Sequence, residues 1–171
     1  MKLHKKSIIL GWLLLVNVAL SSAQQTLIGY VVKIVDGDTY DILVGKATYR
    51  IRMAGIDAPE RGMPFSKDAK QHLAAMCFNK KIKITFDKLD RNNRVIAFSY
   101  LEDGRELSYE MIKAGFAWHF LKYSHDAVFN QLEQQARLNK AGLWFDPHPI
   151  APWDYRKQKR NRTLNILHHQ N

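Results

Sequence analysis

The chain has 171 residues, 46% of them hydrophobic, a formal net charge of +10 and one cysteine. That length allows a single domain with a sizeable core, and a lone cysteine excludes an intrachain disulfide as its staple. So basic a balance points to a polyanionic partner, nucleic acid or an anionic membrane surface, and charge alone does not choose between them.

Residues 1–23 read as a signal peptide. Lys2, Lys5 and Lys6 form a positive start. An apolar run from Ile8 to Leu20 follows, broken by Gly11 and Asn17, and Ser21 and Ala23 give the small-x-small pattern of a cleavage site. The run is short for a membrane span. With no cysteine near the cut, a lipoprotein is excluded. The expectation is an exported protein, periplasmic or secreted, with no stable membrane insertion after cleavage.

The stretch TLIGYVVKIVD (26–36) is rich in β-branched and aromatic residues and predicts a strand. Asp36-Gly37 is a turn dipeptide, and alone it would mean no more than a turn. Thr39 to Val44 gives a second strand. After Gly45-Lys46 comes a third, RIRMAGIDAPER (50–61), with Ile51 and Met53 on one face and Arg52 on the other. Gly55 marks a bulge or a close backbone approach, and Pro59 ends the strand. Asp57 and Glu60 then sit at a strand end, where a carboxylate can be presented to a ligand. Sequential hairpins argue for an antiparallel meander.

Ser66 reads as the N-cap of a helix running to about Phe78, with Ala69, Leu73, Met76 and Cys77 at helical spacing. Cys77 reads as a buried structural thiol. Lys81 to Asp87 alternates cleanly as a fourth strand, DRNNR (90–94) is a polar loop, and Val95 to Tyr100 is a fifth strand. A second helix covers about Leu107 to Ala114, stopped by Gly115. A third covers about Ala127 to Lys140, with Val128, Leu132 and Ala136 on its apolar face. Trp144 returns to the core. Residues 148–171 read as a tail that begins with Pro149 and Pro152 and turns basic, with Arg156, Lys157, Lys159, Arg160 and Arg162 in seven residues. Such a run is commonly a solvated tail, and here it can add non-specific phosphate contacts. By pattern alone the chain is α+β, mainly β, with strands suited to a small barrel.

Four blocks taken together are more specific. IVDGDT (34–39), RMAGIDAPE (52–60), DRNNR (90–94) and the later GFAWHFLKYS with GLW resemble the staphylococcal nuclease, or thermonuclease, family, over about 28 to 145. The resemblance implies a five-stranded OB-fold barrel with about three helices over residues 24–147. It implies an enzyme that hydrolyses phosphodiester bonds of DNA and RNA and leaves 3′-phosphates, and the expectation is a monomer.

The chemistry asks for the residue types found in those blocks. Phosphodiester hydrolysis needs a positioned water and a neutralised transition-state charge. Asp38 and Asp57 are hard oxygen ligands suited to Ca²⁺ or Mg²⁺, and no Cys/His set for zinc is present. The resemblance makes the metal Ca²⁺, with the main-chain carbonyl of Ala58 as a further ligand and Asp36 beside the site as support. Arginine forks match phosphate in a way lysine cannot. Arg52 and Arg94 match the family's catalytic arginines, and Glu60 its catalytic glutamate, as general base or water-positioning group. The resemblance also implies substrate-binding positions for Tyr123 and Arg91. The family's prototype has a second tyrosine where Leu121 stands here. Trp118, His119, Phe120 and Lys122 belong to the same wall, with core packing as the plainer reading of the aromatics. The other function classes are a non-catalytic nucleic-acid-binding module on the same fold and a membrane-surface protein. The presence of Asp38, Arg52, Asp57, Glu60 and Arg94 together separates the enzyme from the first of these.

Overall fold

The computed structural model describes residues 24–168, so the signal peptide read at 1–23 lies outside the described residues. The chain runs through β1 (Gln25–Ile34), β2 (Thr39–Val44), β3 (Ala47–Met53), β4 (Ile56–Asp57), α1 (Ser66–Cys77), β5 (Lys81–Leu89) and β6 (Val95–Tyr100). It continues through α2 (Leu107–Lys113), β7 (Trp118–His119), α3 (Ala127–Leu138), a 3-10 turn (Gly142–Phe145) and α4 (Pro152–His168).

Five strands close a barrel in the order β1-β2-β3-β6-β5. Strands β1, β2 and β3 form the expected antiparallel meander, with Tyr30 opposite Leu43 and Tyr40 opposite Ile51. Closure departs from it: β3 pairs β6 in parallel, Ile51 opposite Val95. Period-2 alternation fills the barrel, because every second side chain points inward. Val31, Tyr40, Ile42, Ile51, Met53, Ile82, Ile84, Val95 and Ala97 are all buried there. The Tyr40 hydroxyl shares a 2.6 Å hydrogen bond with Ser99, which satisfies two polar groups inside the apolar core.

Three helix details differ from the sequence reading. Ser66 is not the N-cap of α1. Phe65 is, in the left-handed region at φ 61°, and the Ser66 hydroxyl donates backward to the Met63 carbonyl at 2.8 Å. The core face of α1 is otherwise as read, Ala69, Leu73 and Cys77, and burial pushes the Cys77 thiol up to about 12. On α3 the buried residues are Phe129 and Ala136, while Val128 faces solvent. The buried face lies one residue beyond the one the sequence suggests, because Val128 and Phe129 are both apolar and spacing alone does not separate them.

The third difference matters most for the site. Residues 152–168 form a helix, where the sequence suggests an unstructured tail; its start, Pro152 to Arg156, packs on the domain, while residues 157–165 remain exposed. Pro152 at its first position and Asp154 in its first turn are favourable start signals. Trp153 anchors it, stacked on Phe120 (centroids 5.1 Å apart, planes 8° apart) and edge-on to Trp118 at 5.7 Å. Trp118 in turn meets Trp144, and the Arg137 guanidinium lies 3.7 Å over the Trp144 ring. This second apolar cluster joins β7, α3, the 3-10 turn and α4. No helix among the described residues is long and apolar enough to cross a membrane.

Candidate active site

Two loops meet at the end of the barrel. The first is the β1–β2 turn, closed by Val35 N–H and Asp36 N–H donating to the Thr39 carbonyl. Within it the Asp38 N–H donates to the Asp36 carboxylate at 3.1 Å, and the Thr39 hydroxyl donates to Asp38 Oδ1 at 2.9 Å. The second follows β3. It is tied to the first by Met53 N–H donating to the Asp38 carbonyl at 2.9 Å and by Ala58 N–H donating to Asp38 Oδ2 at 2.7 Å. The short β4–β7 pairing sets Asp57 opposite Trp118 and so fixes the strand end on which Asp57 sits. The DGDT and AGIDAPE motifs are thus one hydrogen-bonded unit.

Arg52 locks that unit from inside. One of its terminal nitrogens donates to the carbonyls of Met53 (2.9 Å) and Ile56 (2.8 Å). The other lies 2.9 Å from Asp57 Oδ1 and 3.2 Å from Asp38 Oδ2. Both aspartates are buried, at 2% and 5% exposed. Burial, the leading influence, raises the Asp57 carboxyl above its ordinary range, and the nearby Asp38 charge adds to this. The hydrogen bond from Arg156 and the charge of Arg52 oppose it. Asp36 is likewise pushed up to about 6, first by burial and then by Asp38. Carboxylates so crowded need cations.

The second cation comes from α4. Arg156 donates to Asp57 Oδ2 at 2.6 Å, to Asp57 Oδ1 at 3.3 Å and to Glu60 Oε1 at 2.5 Å. Partial burial works against its charge, but its bonds to Asp57 and then Glu60 outweigh this and hold the guanidinium above its ordinary value. Glu60 itself lies at the rim, its side chain 42% exposed.

These groups open onto a cleft of about 980 Å³. All nine residues singled out from sequence line it: Asp36, Asp38, Arg52, Asp57, Ala58, Glu60, Arg91, Arg94 and Tyr123. Arg94 stands apart from the central network. Its guanidinium is held 2.7 Å from Asp90, whose other oxygen accepts the Arg94 N–H and caps the loop. The aromatic wall divides as its two readings suggested. Trp118 and His119 are buried, and burial holds the His119 imidazole below its ordinary value. Leu121 and Tyr123 are exposed at the rim, with Tyr123 edge-on to Phe120 at 4.8 Å.

Sequence reasoning missed the contribution of α4. Trp153, Arg156, Lys157 and Arg160 all line the cleft. They stand at i, i+3, i+4 and i+7, the spacing of a single helix face. That spacing was present in the sequence, but counting the cations as a run concealed it.

The donor chemistry suits a hard divalent cation. Two buried carboxylates converge on a single nitrogen of Arg52, which brings their oxygens to one place. Among the described residues no group of three or more His, Cys, Asp and Glu forms a self-sufficient metal cage. Cys77 is buried in α1. An ion here would draw its remaining oxygens from the main chain, water and substrate.

A family model described as "Staphylococcal nuclease homologue" matches residues 50–146. A micrococcal nuclease of Shigella flexneri is 37% identical over 145 residues, covering 79% of this chain and 83% of that protein. Protein ParB of Escherichia coli is 36% identical over 159 residues, covering 87% and 90%. An uncharacterized endonuclease of Haemophilus influenzae is 32% identical, covering 92% and 89%.

Proposed function

The chain belongs to the staphylococcal nuclease family, and on that premise we propose that it is a Ca²⁺-dependent endonuclease acting on DNA and RNA with little sequence specificity. The observation that carries this is one Arg52 nitrogen bridging Asp38 and Asp57 at the floor of a cleft that Glu60 and Arg94 also line. Asp38, Asp57 and the Ala58 carbonyl would hold the ion, with Asp36 orienting Asp38 through its backbone N–H. A bound divalent ion would supply charge neutralisation at the scissile phosphate.

The remaining steps belong to side chains. Arg52 stabilises the charge that builds on the phosphoryl oxygens. Arg94, delivered by the 90–94 loop and oriented by Asp90, exchanges its carboxylate for phosphate on the opposite side. Glu60, exposed at the rim, accepts a proton from the attacking water or holds that water in line. Cleavage of the bond to the 5′ oxygen leaves 3′-phosphates. Low specificity follows from the wall: Arg91, Lys122, Lys157 and Arg160 are phosphate-directed cations, and the exposed ring of Tyr123 accepts any base by stacking.

We also propose export after cleavage behind Ala23, on the pattern at 1–23, and action as a monomer. The test is digestion of single- and double-stranded DNA and RNA by the purified protein with Ca²⁺, Mg²⁺ or excess chelator, beside its intact mass. Cleavage with Ca²⁺, none in chelator, and a chain beginning at Gln24 are expected. Full activity in chelator would rule out the metal. Binding without cleavage under any condition would favour a non-catalytic binding module on the same fold.

A further inference from the structure

Arg156 sits on the oxygens the reaction needs. It takes both oxygens of Asp57 and one of Glu60, with bonds of 2.5 to 3.3 Å from a single fork. A lone pair given to a guanidinium N–H is not available to a divalent ion, and a carboxylate held by a cation is a poorer acceptor of a water proton. Arg156 therefore excludes a cation at Asp57 and a free base at Glu60 in one contact. The contact is also releasable. Its side chain is 40% exposed, and it is carried by a helix anchored through Trp153 rather than by the barrel. Lys157 and Arg160 lie on the same helix face and line the same cleft, so a phosphate backbone entering there meets three cations of α4 together.

We propose that α4 is a latch, in which Arg156 holds Asp57 and Glu60 closed until a divalent ion takes the carboxylate and a nucleic-acid phosphate takes the guanidinium. This rests on the nuclease reading above and adds regulation of the same site. Ion and polyanion then bind with positive coupling, since each removes the other's competitor. Free ions meet a closed centre, and substrate opens it.

The experiment is calorimetric titration of Ca²⁺ into the purified protein and two variants, without nucleic acid. Arg156→Gln should bind Ca²⁺ about tenfold more tightly, the gain expected when a mostly closed site becomes always competent. Arg162→Gln loses the same charge from an exposed position on the same helix, and should stay near the wild-type affinity. Equal affinities for the two variants would overturn the latch. A second readout needs no variant: lysyl endopeptidase should cut after Lys157 and Lys159 faster when Ca²⁺ is saturating, because release of Arg156 loosens α4. An unchanged cutting rate also counts against the latch. The nuclease assay separates the two ideas. Cleavage by the wild type with unaltered Ca²⁺ affinity in Arg156→Gln sinks the latch alone, whereas neither cleavage nor Ca²⁺ binding in any form sinks both.

Discussion

Arg52 faces four acceptors at once, two carbonyls and two carboxylates, with its side chain 13% exposed. A residue so placed cannot be purely chemical. Its strand position follows from simple alternation, but the side chain does not leave the protein. It turns back across the loop that follows β3 and neutralises two buried aspartates. Arg52→Lys keeps one charge and loses the fork, so several acceptors are left short of donors. It should lower turnover about 10²-fold, the scale of one positioned electrostatic donor. It should also cost about 3 kcal/mol of stability, as expected when one member of a buried charge network is removed. Glu60→Gln and Arg94→Lys alter rim groups, and should lose turnover about 10²-fold with urea midpoints near wild type. The check is turnover and urea midpoint measured on all three variants. Arg52→Lys with unaltered stability would mean the network is not what holds the two loops together.

At the scale of elements, Gly55 joins the barrel to α3. It adopts φ +74°, and a Cβ built there would lie 2.4 Å from the ring of Phe129, which is wholly buried. Its carbonyl accepts Phe120 N–H at 2.8 Å, which starts the β4–β7 pairing. Gly55→Ala combines a left-handed backbone with overpacking, and should destabilise by about 2–4 kcal/mol in urea denaturation. Shaving the ring to relieve the clash, as Gly55→Ala/Phe129→Leu, should recover part of that loss. A single variant as stable as wild type would show the loop to be pliant and Asp57 loosely held. Gly55 was legible as a close approach because a lone glycine inside an apolar strand has few other uses. The strands were legible for a similar reason, since period-2 alternation survives burial on one face. Phe129 was not, because adjacent apolar residues leave a helical face undetermined by one position. Nor was the placement of α4. Its apolar anchor is confined to Pro152, Trp153 and Tyr155 at its start, and its packed face is completed by ion pairs to residues 99 and 96 positions away in the chain. No local periodicity encodes such a contact.

For the whole molecule, the net charge of +10 is less informative than its distribution. Asp38 and Asp57 lie buried at the floor with Glu60 at the rim above them, while Arg91 and Lys122 on the loops and Lys157 and Arg160 on α4 form the walls. A polyanion is thus drawn to the walls and guided over the carboxylates, which alone would repel it. Removing the chain after Tyr155 would discard Arg156 with the other cations, and so would confuse the latch with the walls. The cleaner variant is Lys157→Gln/Arg160→Gln, which leaves Arg156 on Asp57 and Glu60. Each wall cation that meets a duplex phosphate releases counterions, so the slope of log binding constant against log salt should flatten by about 0.9 per contact, or roughly 1.8 for the pair. Turnover at saturating DNA should change little, because neither residue bonds to the carboxylate centre, and KM should rise most steeply above physiological salt. The measurement is duplex binding in chelator across a salt series, with steady-state kinetics in Ca²⁺ alongside. A slope equal to wild type would show that α4 meets no phosphate and that the loop cations alone hold the substrate. A collapse of turnover with the slope unchanged would instead make the helix part of the chemical step.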